Sequence, residues 1–279
     1  MKFFTDEDVR SLEKKANEIR QAIISMINKA KAGHPGGALS AADIVTALYF
    51  HEMNVDPQNP SWEDRDRFIL SKGHACPVLY AALAEKGYFE SAHLDTLRKY
   101  GSILQGHPDM RKTPGVDMTS GSLGNGLSAG VGMALAAKWK RKEYRVYVML
   151  GDGESQEGMV WEAAMSAAKF KLDNLVAIVD YNGLQINGWV NDIMRLEPLA
   201  DKWKSFGWSV IEINGNEMKQ VLHALQKARK LRGPVVIIAN TVKGKGVSFM
   251  ENEAEWHGKA PNEEQTARAI DELRVGGGR

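Results

Sequence analysis

The chain has 279 residues, of which 43% are hydrophobic and 25% are charged, a composition typical of soluble globular proteins that excludes disordered, collagen-like and coiled-coil chains. The 36 lysine and arginine residues nearly balance the 35 aspartate and glutamate residues, so no global field attracts nucleic acid or an anionic membrane. The single cysteine, Cys76, excludes an intrachain disulfide; because the apolar runs are short and the N-terminus is acidic, we expect a cytoplasmic protein without a membrane span.

Helices dominate the prediction for the first half of the chain. Apolar residues recur with a period near 3.6 over residues 11–31, which predicts an amphipathic helix. Further helices are predicted at 40–51 and 78–85, with a short strand at 67–71 between them. Residues 121–142 are rich in small side chains and then basic, which predicts a helix whose early turns pack closely against a neighbour.

Strands and helices alternate from residue 145 onward. The predicted strands are 145–150, 175–181, 209–213 and 234–241, and the predicted helices between them are 158–170, 196–206 and 217–231. Such alternation with near-continuous apolar strands indicates a parallel sheet that is buried on both faces. We therefore predict an α/β fold, a doubly wound parallel sheet with helices on both faces. It forms one domain over residues 1–274, followed by a flexible tail at 275–279.

Polar residues follow two of these strands, where an open parallel sheet binds its ligands. Gly151-Asp152-Gly153-Glu154 follows the first, and Asn182 follows the next, about thirty residues beyond Asp152 and so about one crossover unit away. Carboxylate, amide and carbonyl oxygens suit Mg²⁺ or Ca²⁺ that shares its other positions with phosphate. Asp-Gly and Asn-Gly are also common turn formers, but the pair at this spacing favours a metal–diphosphate site.

These segments carry a resemblance to a known family. Gly-Asp-Gly followed about thirty residues later by Asn is the thiamine diphosphate motif, and the chain resembles transketolase in family order over nearly its whole length. The matching segments are 33–37, 70–75, 105–108, 121–124, 151–158, 182–184, 243–246 and 256–259. The resemblance covers only the N-terminal, diphosphate-binding domain of a typical transketolase. It implies the N-terminal subunit of a split transketolase, whose pyrimidine-binding domain is a separate chain.

The seven histidines divide into two groups. Three lie within helical patterns, where a structural role is the simpler interpretation: His51, His93 and His223. The other four adjoin glycine in loops, which indicates a shared polar cleft because glycine lets each imidazole approach a ligand: His34, His74, His107 and His257.

The resemblance implies a role for each matching residue. The implied catalytic residues, which contact substrate and assist proton transfer, are His34, His107 and His257. The implied cofactor-binding residues are His74, Gly121, Ser122, Leu123, Gly153, Glu154, Asn182, Lys243 and His257, with Lys72 near the diphosphate. The implied metal ligands are Asp152, the side chain of Asn182 and the carbonyl of Leu184. Glu157 and Glu162 match acidic residues between the two cofactor sites of the family, although an exposed helix face would also be acidic.

The implied activity is transfer of a two-carbon ketol unit from a ketose phosphate to an aldose phosphate, in the pentose phosphate pathway, with thiamine diphosphate and Mg²⁺ or Ca²⁺. In the family, the glutamate that activates the cofactor and most sugar-phosphate contacts belong to the pyrimidine half. We therefore expect this chain to be inert alone and active with its partner, most simply as a heterotetramer.

Three alternatives remain open at this point. The segment 124–129 fits a dinucleotide fingerprint, which would indicate a dehydrogenase if a buried strand preceded it. A related thiamine enzyme would keep the cofactor and change the reaction: deoxyxylulose-phosphate synthase, dihydroxyacetone synthase, a 2-oxoacid dehydrogenase subunit or a ketol transferase for an unusual sugar. A non-enzymatic scaffold would keep only the fold.

Overall fold

A five-stranded parallel sheet lies at the centre of the computed structural model, which describes residues 3–276. Its strands, given in chain order, are β1 (Arg67–Leu70), β2 (Val146–Gly151), β3 (Leu175–Tyr181), β6 (Ser209–Asn214) and β7 (Val235–Asn240). The spatial order is β1-β2-β3-β7-β6, and every neighbouring pair is parallel. A separate two-stranded antiparallel hairpin consists of β4 (Leu184–Gln185) and β5 (Gly188–Trp189).

Helices cover both faces of the sheet, which confirms the predicted doubly wound α/β fold. The α-helices are α1 (Asp6–Ala30), α2 (Pro35–Ser40), α3 (Ala42–Ala47), α4 (Cys76–Lys86), α5 (Asn125–Trp139), α6 (Gly158–Lys169), α7 (Val190–Ile193), α8 (Leu199–Ser205), α9 (Met218–Ala228) and α10 (Glu263–Gly276). One apolar core joins the sheet to α1, α3, α4 and α9, and the other joins it to α5, α6 and α8. Along β2, Tyr147 and Met149 enter the first core while Val148 and Leu150 enter the second, as strand alternation requires.

Local sequence signals account for the ends of α1. The Thr5 hydroxyl accepts a hydrogen bond from the backbone N–H of Asp8, and the Asp8 carboxylate accepts one from the backbone N–H of Thr5, which forms a capping box. Lys31 adopts a left-handed conformation at the other end, with φ of 52°. α1 begins five residues before its predicted start because the cap lies upstream of the first apolar residue.

Several elements depart from the sequence prediction. α5 begins at Asn125 rather than at residue 121, because Gly121 and Gly124 have φ values of 143° and 86° that a helix cannot hold. The range 40–51, predicted as one helix, contains α3 and a π-helical turn at Leu48–Glu52, and α2 ends at its first residue, Ser40. α10, which packs against α1, was not predicted.

The last helix of the chain extends beyond the predicted domain boundary at residue 274. α10 continues to Gly276 and so includes the first two residues of the proposed tail; residues 277–279 lie outside the described part of the chain. No helix between residues 3 and 276 is long and apolar enough to cross a membrane.

Candidate active site

A cleft of about 420 Å³ opens at the carboxyl edge of the sheet, where β2 and β3 end. Most of the predicted site residues line it, namely His34, His74, Gly121, Leu123, Asp152, Gly153, Glu154, Asn182, Leu184, Lys243 and His257, together with Lys72. A larger cavity of about 610 Å³ lies at the amino ends of β1 and β2, among residues such as Asp66 and Tyr144. The smaller cleft is the better candidate because ligands of open parallel sheets bind at the carboxyl ends of the strands.

The three predicted metal ligands lie together on the wall of this cleft. Asp152 follows β2, and its two carboxylate oxygens accept hydrogen bonds from the backbone N–H groups of Gly153 (2.7 Å) and Gly183 (2.6 Å). The Asn182 amide oxygen accepts a bond from the backbone N–H of Leu184 at 3.2 Å. Gly183 adopts a φ of 77°, a conformation that favours glycine and that brings its N–H to the neighbouring strand end.

These donors are hard oxygens of mixed type. Within residues 3–276, no group of three or more His, Cys, Asp or Glu side chains is placed to hold a metal ion. A divalent cation here would depend on one carboxylate, one amide oxygen and one backbone carbonyl, with phosphate or water in its other positions. Burial, and then the nearby Asp180 carboxylate, raise the pKa of Asp152 to about 6, and a bound cation would oppose both effects.

Three histidines from distant segments meet in the cleft. His34 precedes α2, His74 follows β1 and His257 lies in the 3₁₀ turn Ala254–His257. Their ring centroids are separated by 5.2 Å (His34–His74), 5.5 Å (His34–His257) and 5.1 Å (His74–His257). Nδ1 of His34 is buried without a hydrogen-bond partner among the described residues. His34 therefore offers a ring nitrogen whose hydrogen-bonding capacity the described residues do not use.

Burial keeps these imidazoles neutral. It lowers the pKa of His34 to about 4, that of His74 to about 2 and that of His257 to about 3, and neighbouring cations such as Lys72 and Lys243 add to the effect. Partial desolvation, and then the Arg98 guanidinium, also lower the pKa of His107. A neutral imidazole can both accept and donate a hydrogen bond, which suits proton transfer to or from a ligand oxygen.

Lys243 connects the histidine cluster to the metal ligands. Its ammonium group donates to the backbone carbonyl of Leu184 at 3.0 Å and lies 3.0 Å from Nδ1 of His257. When Lys243 is protonated, Nδ1 of His257 must act as the acceptor, so the ring hydrogen of His257 is on Nε2. Burial lowers the pKa of Lys243 to about 8. The third ammonium hydrogen remains available for a group in the cleft.

Glu154, an implied cofactor ligand, uses its carboxylate within the protein. Its Oε1 accepts bonds from the hydroxyl of Ser71 and the backbone N–H of Gly124 (2.8 Å), and its Oε2 accepts one from the backbone N–H of Gly151 (3.0 Å). The side chain is only 3% exposed, and burial raises its pKa. Glu154 therefore holds the end of β2 and the loop 121–124 together, and a direct bond to a cofactor would compete with these contacts.

The remaining predicted residues are exposed, and His107, Ser122 and Glu162 are not among the residues that line the cleft. His107 is exposed, and a Cβ built on Gly121 would be 3.1 Å from its ring, so the two residues are adjacent. Ser122 is exposed in the same loop and does not line the cleft, whereas Leu123 does. Glu157 and Glu162 are exposed at the start of α6 and on its surface, with Glu157 at the cleft wall.

Sequence reasoning assigned no role to several residues of the cleft. Gln185 and Gln156 line it and are joined by a hydrogen bond of 2.9 Å. Asp180 lies behind it, fully buried, and pairs with Lys72. Asp180 lies two residues before Asn182, near the end of an apolar strand. A charged residue in that position is the sequence signal that could have indicated a role for Asp180.

Relatives of known name match nearly the whole chain. Residues 11–275 match the family described as transketolase, thiamine diphosphate binding domain. The chain is 48% identical to the 6-deoxy-6-sulfo-D-fructose transketolase subunit of a Clostridium strain, over 95% of this chain and 97% of that one. It is 46% identical to one subunit of the apulose-4-phosphate transketolase of Phocaeicola vulgatus, over 95% and 94%. The crystal structure of Campylobacter jejuni transketolase superposes with a TM-score of 0.90 at 34% identity.

The two kinds of relative differ in length. This chain covers 94–97% of the two named subunits but 42% of the Campylobacter jejuni transketolase chain. The dehydrogenase alternative loses its structural basis, because residues 113–118 form no strand before the segment 124–129. The resemblance that the motifs indicated is confirmed, and the chain belongs to the transketolase family, as its thiamine diphosphate-binding domain.

Proposed function

We propose that this chain is the diphosphate-binding subunit of a split transketolase, which transfers a two-carbon ketol unit from a ketose to an aldose together with a second polypeptide. One observation carries the proposal. The cleft brings the oxygen donors of Asp152, Asn182 and Leu184 within one cavity beside three half-buried, neutral histidines. Because the two named relatives are transketolase subunits of nearly the same length, a separate partner chain is the simplest way to complete the site.

The donor set fits the diphosphate end of thiamine diphosphate with Mg²⁺. Asp152, the Asn182 amide oxygen and the Leu184 carbonyl would hold the metal, and Lys243 and the backbone N–H of Gly153 would face the phosphate oxygens. Nδ1 of His34, which is buried without a partner among residues 3–276, and the ammonium hydrogen of Lys243 that these residues leave unused support this fit, since a ligand would satisfy both. When bound, the cofactor supplies a nucleophilic carbon that stabilises negative charge on the transferred fragment.

The chain's own contribution to catalysis is to bind the substrate and to move protons. His34 and His257 would donate to or accept from the oxygen of the reacting carbonyl, because their neutral rings can do either. The bond between Lys243 and Nδ1 of His257 would fix the tautomer that presents Nε2–H. His107, beside Gly121, would contact substrate hydroxyls.

The partner surface is expected beside the cleft. Apolar side chains are exposed at 38–68% in the loop before α5, on α6 and around the hairpin, namely Leu123, Met159, Met165, Ile186, Trp189 and Met194. Leu123 and Ile186 also line the cleft, so a chain that covered this surface would close the site. We assign the surface to the pyrimidine-domain subunit, in a heterotetramer with two sites.

Related sugar substrates define a second candidate function. The two relatives are named for 6-deoxy-6-sulfo-D-fructose and apulose 4-phosphate, both of which carry an anionic group. A ketol transferase for such an unusual sugar would use the same cleft, with its specificity shared between this chain and the partner. The pentose phosphate pathway is therefore one of two proposed settings.

Cofactor binding and turnover test the proposal separately. In calorimetry, the full chain should bind thiamine diphosphate only when Mg²⁺ is present. Asp152→Asn should lose this Mg²⁺-dependent binding, whereas the exposed control Asp173→Asn should keep it. Alone it should transfer no ketol unit, and transfer should begin when the partner subunit is added. Turnover by the isolated chain, or metal-independent binding by the unaltered protein, would contradict the proposal. Transfer assays that compare a pentose phosphate with 6-deoxy-6-sulfo-D-fructose and with apulose 4-phosphate would separate the two candidate functions.

A further inference from the structure

Asp180 is a fully buried carboxylate at the end of β3, behind the cleft. Its Oδ2 accepts a hydrogen bond from the Ser40 hydroxyl at 2.6 Å and pairs with the Lys72 ammonium group, and its Oδ1 accepts from the Thr241 hydroxyl. These partners come from the end of α2, from the loop after β1 and from the segment after β7. One carboxylate therefore joins three segments at the carboxyl edge of the sheet.

Two of the groups that Asp180 contacts also line the cleft. Lys72 donates to Asp180 and to the backbone carbonyl of Gly37 at 2.7 Å, so one of its three ammonium hydrogens remains for a group in the cleft. Nδ2 of Asn182 lies 3.5 Å from Oδ2 of Asp180, while its amide oxygen faces the N–H of Leu184. The contact with Asp180 therefore orients the nitrogen of the Asn182 amide, and the amide oxygen is turned toward Leu184, the neighbouring predicted metal ligand.

Lys72 and His74 both lie against Gly37. A Cβ built on Gly37 would lie 3.8 Å from Nζ of Lys72 and 3.9 Å from Nε2 of His74, so two nitrogen atoms converge beside a residue without a side chain. The carbonyl of Gly37 also accepts a bond from the Ser40 hydroxyl at 3.2 Å. The same network therefore holds α2, and with it His34 at its start.

We propose that Asp180 is a positioning residue of the cofactor site, which holds the Lys72 ammonium group and the Asn182 amide in place for a diphosphate. This inference rests on the proposed function. A purely structural ion pair is available for comparison in Arg20–Asp43, in which both side chains are 6% exposed and neither lines the cleft. Asp180 differs from Asp43 because its partners face the ligand space rather than the core between α1 and α3.

The test compares Asp180→Asn with Asp43→Asn in the full chain. Both substitutions leave a buried cation without its carboxylate, so both should lower Tm. Only Asp180→Asn should raise the Kd for thiamine diphosphate with Mg²⁺, and for inorganic pyrophosphate with Mg²⁺, by at least about tenfold; Asp43→Asn should change each Kd by less than about twofold. Calorimetry measures both values without turnover. Equal Kd values for Asp180→Asn and the unaltered chain would overturn the inference.

A double-mutant cycle with Lys72→Met tests whether Asp180 acts through Lys72. The expected result is coupling: Asp180→Asn should add less than about twofold to the Kd of Lys72→Met. Fully additive effects would refute positioning of Lys72. Where Asp180→Asn does not fold, Ser40→Ala removes a single bond to the same carboxylate and should still raise the Kd. Failure of the unaltered chain to bind either probe refutes the proposed function itself, whereas normal binding with an unaffected Asp180→Asn variant refutes only this inference.

Discussion

Substitution of Glu154 gives a direct test of how the cleft is built. Its carboxylate accepts three hydrogen bonds from inside the protein, and Glu154→Gln keeps only one acceptor oxygen. With that oxygen placed at Ser71 and Gly124, the new amide N–H₂ group faces the N–H of Gly151, and a buried donor loses its partner. The loss of one such bond costs about 1–3 kcal/mol.

The expected effect on stability follows from this cost. For a chain of this size, 1 kcal/mol corresponds to about 2–4 °C in Tm, so Glu154→Gln should lower Tm by roughly 2–12 °C. Release of Gly124 should also loosen the loop 121–124, which contributes Gly121 and Leu123 to the cleft, and so raise the Kd for thiamine diphosphate about tenfold. Thermal unfolding followed by circular dichroism, and calorimetry with Mg²⁺ present, measure the two effects.

The matched control is Glu157→Gln, three residues away. Glu157 is exposed, and its substitution removes the same charge from the same segment without leaving a buried donor unpaired. Its stability should stay within about 0.5 kcal/mol of the unaltered chain. If Glu154→Gln unfolds at the same temperature as Glu157→Gln, the three bonds do not hold the loop, and Glu154 is free to bind a ligand directly.

Three further predictions concern packing, the cysteine and pH. A Cβ on Gly130 would lie 2.5 Å from Val148, whereas one on Gly132 would meet nothing within 4 Å, so in urea unfolding Gly130→Ala should destabilise the protein and Gly132→Ala should stabilise it by up to about 1 kcal/mol. Burial raises the pKa of the Cys76 thiol to about 12, so iodoacetamide at pH 8 should modify it only in the unfolded chain, and rapid labelling of the native protein would contradict this burial. Burial lowers the pKa of His34 to about 4, so between about pH 6.5 and 4 the unfolded chain binds a proton that the folded chain does not. The stability should therefore fall as the pH is lowered through this window, and an unchanged Tm would refute the effect of burial.

Most of the fold was predictable because the strands are continuous apolar runs. β3 has the predicted bounds, and the other four strands of the sheet differ by one residue at an end or at both. The elements that the sequence did not predict correctly lie where the conformation of a glycine or tertiary packing determines the structure. The left-handed conformation of Gly124 prevents α5 from starting earlier. The sequence of α10 is rich in charged residues and has no strong apolar pattern, and this helix packs on α1. The short hairpin β4–β5 lies among turn residues that predict only a loop.

The site was predictable to the extent that strand ends bring residues together. Asp152 and Asn182 meet because β2 and β3 are neighbouring parallel strands, a consequence of their spacing in sequence. The network of Asp180 was not predictable, since Ser40, Lys72 and Thr241 are 140, 108 and 61 residues away from it in sequence. Partner choice over such distances depends on the folded arrangement and not on local pattern.

The buried charges of the cleft explain why metal and cofactor should bind together. Three carboxylates, Asp152, Glu154 and Asp180, face two ammonium groups, Lys72 and Lys243, and all five residues are at most 3% exposed. Their formal sum is negative, and the chain as a whole carries only +1, so a diphosphate alone would find no net attraction. A divalent cation at Asp152 would reverse the local sign. On the proposed function, the cation supplies the positive charge that the diphosphate requires, and the diphosphate oxygens fill the remaining positions of the cation, so their binding should be strongly cooperative.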